Sequence, residues 1–176
     1  MLFRSAADYQ AFLTEIKNQN IPLFIVDKSF DLDLGGGASL QFLFPSKSFA
    51  NVKVSELNDT SIVNRLVYDK TSFLFTGDIG LSVEKTLVDN LGSEKLASNA
   101  LKISHHGSKF ASGEEFLTAV SPQYTVISVG VDNDFGHPQF LILSRLQRMN
   151  IQYFRTDEQG MIEFDSDGER VEHIEH

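Results

Sequence analysis

The sequence predicts a mixed sheet covered by helices, an α/β (α+β) arrangement, and three observations carry that prediction. Alternating apolar runs in the first half are joined by short glycine or polar turns, as in antiparallel hairpins. In the second half, strand-like runs alternate with apolar residues at helical spacing, as in strand–helix units. No repeat, linker or low-complexity tract divides the 176 residues, so one domain over 1–176 is expected.

The elements follow in order. Ser5 is placed to cap a helix over about 6–18, where Phe12, Leu13 and Ile16 fall at helical spacing. The run 21–27, IPLFIVD, reads as a buried strand. A hairpin follows, with Gly35 to Gly37 at its bend and Leu40, Phe42 and Phe44 alternating on the way out. A second hairpin has its turn at Asp69-Lys70 and ends near Asp78. Val83, Leu87, Val88 and Leu91 mark a helix over 81–91 that Gly92 stops. The strand ALKIS at 100–104 leads to two adjacent histidines, and Ser112 to Glu115 reads as a capping box for a short helix burying Phe116, Leu117 and Val120. After a strand at 124–130, Pro138 stands as the first residue of a helix with Leu141, Ile142, Leu146 and Met149. IQYFR, MIEF and ERVEHI finish the chain as strands, split by turns at Asp157 to Gly160 and Asp165 to Gly168.

Composition narrows the chemistry. Cysteine is absent, which excludes disulfides, thiolate metal sites and cysteine nucleophiles together, so any metal must be held by His, Asp, Glu or Asn. The formal net charge of −9 argues against general coating of nucleic acid, because phosphate backbones would be repelled without a local basic patch or metal cations. The glycine run at 35–37 lacks the Gly-Lys-Ser/Thr ending of a phosphate loop, and no serine sits in a Gly-x-Ser-x-Gly elbow. No apolar stretch approaches the roughly 18 residues of a membrane-spanning helix, and residues 1–10 show no secretory signal pattern.

Three loops carry the candidate chemistry, each directly after an expected strand. Gly77-Asp78 places a carboxylate at a rigid strand end, where its plain alternative is to cap the helix starting near Leu81. His105-His106-Gly107-Ser108 puts two imidazoles on opposite sides of the chain, with a glycine that permits a sharp turn or close ligand approach and a hydroxyl that could meet an anion; its plain alternative is a surface pair beside a turn. Asp132 to Pro138 holds His137 extended before a helix start, suited to a phosphate or carboxylate, with Asp132 and Asp134 as turn formers. If the three strands are neighbours, these groups meet at one edge, and Asp with His suits zinc or manganese and metal-activated water. His173 and His176 are expected to be solvated.

Four motifs, NDTSIVNRLVYDKTSFLFTGDI, LKISHHGSK, VISVGVDNDFGHP and FRTDEQGMIEF, recur in this order and spacing over about 58–164. Together they resemble the metallo-β-lactamase-fold domain of competence proteins of the ComEC/Rec2 type. That resemblance implies an αββα sandwich with mixed sheets covered by helices and a metal-dependent hydrolase site at one edge, acting on incoming DNA. It implies Asp78 as a carboxylate bridging two metals, one histidine of the pair, with His106 favoured over His105, as a ligand of the second, and Asn58 as a weak ligand or substrate contact where many relatives of the wider fold have histidine. His105 would then face the scissile phosphate, Ser108 would orient it, and His137 would contact the substrate or support a residue that does. The wider family's His-x-His-x-Asp-His motif is missing, since no histidine precedes position 105. The expectation is therefore a domain lacking its N-terminal portion, binding zinc or manganese weakly and hydrolysing little or no phosphodiester alone. The alternative is a non-catalytic interaction or regulatory domain. An exposed apolar sheet would favour self-association, or pairing with the N-terminal half of the same domain, in either case. The family resembled is embedded in the membrane.

Overall fold

The computed structural model describes residues 6–175. After helix α1 (Ala6–Asn18) come strands β1 (Phe30–Gly35), β2 (Ala38–Phe44), β3 (Val63–Tyr68) and β4 (Thr71–Phe75), two hairpins as the alternation predicts. Then helices and strands alternate: α2 (Leu81–Leu96), β5 (Ala100–Lys102), α3 (Glu114–Val120), β6 (Tyr124–Ile127), α4 (Phe140–Arg148) and β7 (Gln152–Arg155). A helical turn α5 (Thr156–Gln159) and the hairpin β8 (Glu163–Ser166) and β9 (Val171–Ile174) complete the fold. Strands β1 to β7 form one sheet in sequence order, antiparallel through β4 and parallel from β4 to β7. The expected mixed sheet flanked by helices is what the chain forms.

The sheet's two faces differ. On one, Leu74, Leu101 and Ile127 pack with Val83, Leu87 and Leu96 of α2, Phe116, Leu117 and Val120 of α3, and Ile142 and Leu146 of α4 into a single core. This follows from topology, because each parallel connection must return over the sheet and the amphipathic helices that make the return bury their apolar stripes there. Arg65 stands where that cover ends, donating from Nε to the Ala97 carbonyl at the end of α2 and from Nη2 to Ser72 Oγ. On the other face the β8–β9 hairpin covers the parallel strands through Phe164, which meets Phe73, Tyr124 and Phe154 at 6.5, 5.3 and 5.7 Å between ring centres.

Several local expectations change. Residues 21–27 join no sheet among the described residues, and Leu23, Phe24 and Ile25 are exposed: the apolar run has strand composition but is paired with no described strand. The capping box does not form, since Ser112 takes φ of +52° and Gly113 holds the N-cap position. The buried Glu84 carboxylate instead fixes the turn leading into α3, accepting from the Ser112 and Gly113 amides at 2.6 and 2.8 Å. Pro138 precedes α4, whose N-cap is Gln139. Gly92 breaks the helix path with φ of +61°, and one more helical turn follows it to Leu96. The Asp157 to Gly160 turn is helical over Thr156–Gln159, and β8 runs through Asp165 before its own turn. His173 is half-buried, stacked on Phe154 at 4.2 Å, rather than solvated. Ser5 and His176 lie outside the described residues.

Candidate functional site

Because β4, β5 and β6 are parallel neighbours, the loops leaving their C-terminal ends open at one edge of the sheet, where open α/β sheets place ligands. Those loops bear Asp78, His105 with His106, and His137. The His105 amide donates to the Gly77 carbonyl at 3.2 Å, tying the first two loops together. The Gln139 amide donates to the Gly107 carbonyl at 2.9 Å, tying the second to the third.

The double-histidine turn is unusual in its backbone. His105, His106 and Gly107 have φ of +49°, +55° and +82°, a run of left-handed residues that only glycine adopts freely. The strain turns both imidazoles out of the strand path. A Cβ on Gly107 would lie 2.7 Å from Pro138 Cβ, so the close approach that this glycine permits is to the neighbouring loop. Gly77 is similarly pressed against Ser61, where a Cβ would lie 2.7 Å from that residue's Cβ.

His106 Nδ1 donates to the Ser128 carbonyl at 2.6 Å, which leaves Nε2 facing Asp78 Oδ1 at 3.4 Å. This partnership holds the Asp78 carboxyl at about 2, below the usual carboxylate range, and raises His106 above the ordinary imidazole value. Asn58 Nδ2 lies 3.2 Å from His105 Nε2, so the amide orients that ring. The rings of His105 and His137 are 5.8 Å apart, and His137 is shifted down by burial and then by the two neighbouring imidazoles. Asn133 clamps the third loop, accepting from the His137 amide at 2.9 Å and donating to its carbonyl at 2.7 Å.

Of the residues singled out in the sequence, Asp78, His105, His106, His137 and Asn58 come together. Ser108 is buried, and its hydroxyl oxygen accepts from the Phe110 amide at 3.3 Å within its own loop. Asp78 is not the helix cap. Asp59 rather than Asp78 ties down the entry to α2, accepting from the Gly80 amide at 2.9 Å and from the Ser82 hydroxyl at 2.8 Å, while Asp78 faces His106. Sequence reading passed over Lys102, whose amine is lowered by burial beside Asp78 and donates at 3.4 Å to the Gly77 and Ile103 carbonyls. The available signal was a single charged residue, Lys102, in the strand-like run ALKIS.

Among the described residues, no three His, Asp or Glu side chains converge to hold an ion. Asp78 and His106 face each other as a pair and Asn58 is turned to His105, so this donor set does not by itself fit a resident zinc or manganese ion, which needs three or four protein ligands. No helix among the described residues is long and apolar enough to cross a membrane.

No protein-family model matches the chain. It is 37% identical over 128 residues, 73% of its length, to Competence protein ComA of Neisseria gonorrhoeae, of which the match covers 18%. It is 35% identical over 61% of its length to ComE operon protein 3 of Bacillus subtilis, covering 14% of that protein. To Recombination protein 2 of Haemophilus influenzae it is 29% identical over 77% of its length, covering 16%. The chain is thus a relative of competence proteins, and its matches span less than a fifth of the length of each.

Proposed function

We propose that the chain is a hydrolase-type domain of the metallo-β-lactamase superfamily, as in competence proteins, with a phosphodiester such as incoming DNA as its substrate class, and that alone it carries only part of the catalytic set. The observation that supports this reading is the gathering of Asp78, His105, His106 and His137 at the ends of three adjacent parallel strands, in a chain similar to competence proteins. In this reading His105 and His137, one from each of two loops, hydrogen-bond oxygens of one phosphate. Asn58 orients the first ring and Asn133 fixes the second loop. Asp78 holds the proton on His106 and so keeps a cationic imidazole beside the bound anion. Ser108 shapes the loop on which both rings stand. No step is routed through a metal, because the donors present are too few; the remaining ligands would come from outside this chain.

The test is cleavage of fluorescent single-stranded DNA and of bis-p-nitrophenyl phosphate with added zinc or manganese. The chain is assayed alone and with the segment of the gonococcal relative that precedes the matched region. Little or no turnover is expected from the chain alone. A gain on mixing, abolished by Asp78→Ala and by His106→Ala, is the expected result. No gain with either metal would overturn the hydrolase reading and leave the second one, a non-catalytic interaction domain, which the uncovered sheet face favours.

A further inference from the structure

We infer that Phe135 is a specificity-determining residue whose open ring stacks on the nucleobase next to the phosphate held by His105 and His137, so that the site selects a strand with unpaired bases; this rests on the phosphate-binding reading of the same site. In the parallel half of the chain, the exposed large apolar side chains gather at one edge. From Gly77 to Ile174, each of them lies on a connection leaving the C-terminal end of β4, β5, β6 or β7, or in the first turn of the helix that the connection enters. On the second and third loops and at the start of α4, Phe110, Val131, Phe135 and Phe140 are exposed at 64%, 69%, 77% and 82%. The connections at the opposite edge, over 97–99, 121–123 and 149–151, expose no large apolar side chain. A chain that covers such groups elsewhere in this half and leaves them open around one site marks that rim as a contact surface.

Phe135 stands in a closed turn. Asn133 Oδ1 accepts from the His137 amide, its Nδ2 donates to the His137 carbonyl, and its own carbonyl accepts from the Gly136 amide at 3.4 Å. The Phe135 ring lies nearly parallel to that of His137, with 5.9 Å between centres and 21° between planes. His137 in turn meets His105 at 5.8 Å, so one row runs from the phenyl ring through both imidazoles. The row has a flat apolar face at one end and hydrogen-bonding nitrogens at the other, the order in which a nucleotide presents its base and its phosphate. The second loop repeats the pairing of ring and cation, with Lys109 Nζ 5.1 Å over Phe110. The Lys109 amide donates at 2.9 Å to Oε1 of Gln139, the residue before Phe140, which holds the two loops together.

Charge favours a base over a phosphate at this ring. Asp132 and Asp134 are exposed on the same turn and would repel a phosphate laid over Phe135, whereas a base carries no such charge. The formal net charge of −9 gives the chain no general attraction for a phosphate backbone, so its affinity must come from contacts at close range. Every base has a π face on which an aromatic side chain can stack, and in a duplex the neighbouring base pairs cover those faces. A stacking ring beside the phosphate therefore recognises a single strand and tolerates its sequence.

Fluorescence anisotropy on the whole chain, in chelator and without added metal, tests this with three labelled probes of about 12 nucleotides: a thymidine single strand, an abasic strand with the same phosphates, and a duplex. The thymidine strand is expected to bind roughly tenfold or more tightly than the other two. Phe135→Ala should weaken it about fivefold or more and leave the abasic strand unchanged. Phe135 is exposed, so this variant should keep the wild-type circular dichroism, and Phe135→Trp should keep the binding. Leu34→Ala, at the antiparallel end, should leave all three affinities unmoved. A thymidine strand bound no better than the abasic strand or the duplex, or a Phe135→Ala variant that binds as the wild type does, would overturn the inference. In that event a loss of both single strands in His137→Ala would still uphold the phosphate contact. A chain that binds none of the probes would overturn the inference and the phosphate contact together.

Discussion

The antiparallel and the parallel ends of the sheet solve the same burial problem in opposite directions. From β4 to β7, each connection contains a helix that returns over one face, and the core forms there from Leu74, Leu101, Ile127 and the helical apolar stripes. From β1 to β4, the turns at Gly36-Gly37 and Asp69-Lys70 and the link over 45–62 bring no α-helix over the sheet, and the apolar alternation points to the opposite face, where Leu32 and Leu34 are exposed. Connections without an α-helix therefore leave the apolar side of the first end open among the described residues, while helical ones make the second end self-sufficient. The candidate site lies at the self-sufficient end, where three loops can be held to fixed positions.

That contrast would be broken most directly by core truncation. Leu146→Ala, at a fully buried position of α4, is expected to cost about 2–5 kcal/mol. Leu34→Ala in β1 should change monomer stability by no more than about 0.5 kcal/mol. Urea unfolding of both variants decides it, and equal losses would mean that the first hairpin is covered within the monomer.

A smaller effect is expected where the parallel end fixes its loops. Glu84 is 1% exposed, and burial raises its carboxyl while the Ser112 and Gly113 amides hold it in place. Glu84→Gln should cost about 1–3 kcal/mol, because one amide is left facing a donor. Hydrogen exchange should quicken first at Ser112 and Gly113.

Gly107→Ala sharpens the comparison at the site itself. The new methyl meets Pro138 on a backbone with φ of +82°. A loss of about 1–3 kcal/mol is expected, with shifted NMR signals for His105, His106 and His137 and unchanged ones across β1 and β2. Changes spread evenly over the sheet would mean that the loops are not an independent unit.

The smallest effect concerns protons. His106 is raised by its hydrogen bond to Asp78 and by the Ser128 carbonyl, so its contribution to stability is complete below the ordinary imidazole value and lost as pH rises through its higher folded value. Asp78 is lowered to about 2, so its contribution is present above the ordinary carboxylate value and lost as pH falls toward 2. Both side chains are partly solvated, which keeps the stability effect small. An NMR titration should show His106 above the ordinary value, and Asp78→Asn should bring it back down; no movement would mean that the pair is not formed in solution.

Periodicity and turn chemistry made both hairpins, the strand–helix alternation and the loops carrying Asp78, His105, His106 and His137 legible, because each depends on neighbours within a few residues. The unpaired run at 21–27 was misread for the same reason: its composition suits a strand, but a strand exists only where another offers its hydrogen bonds. Capping misled as well, since Glu84 and Asp59 reach their amides from 28 and 21 residues away.

By itself, the sequence determined the element order, the mixed sheet, the absence of cysteine chemistry and the residues able to act at a strand-end site. Tertiary structure alone decided that Asp78 meets His106 and that Asn58 meets His105. It also decided that Gly107 makes room for Pro138, that Lys102 sits beside Asp78, and that the first hairpin shows its apolar side away from the helices. The physical reason is that patterning reports which side of a strand is apolar, whereas partners and covered faces depend on the register and connection of strands far apart in the chain.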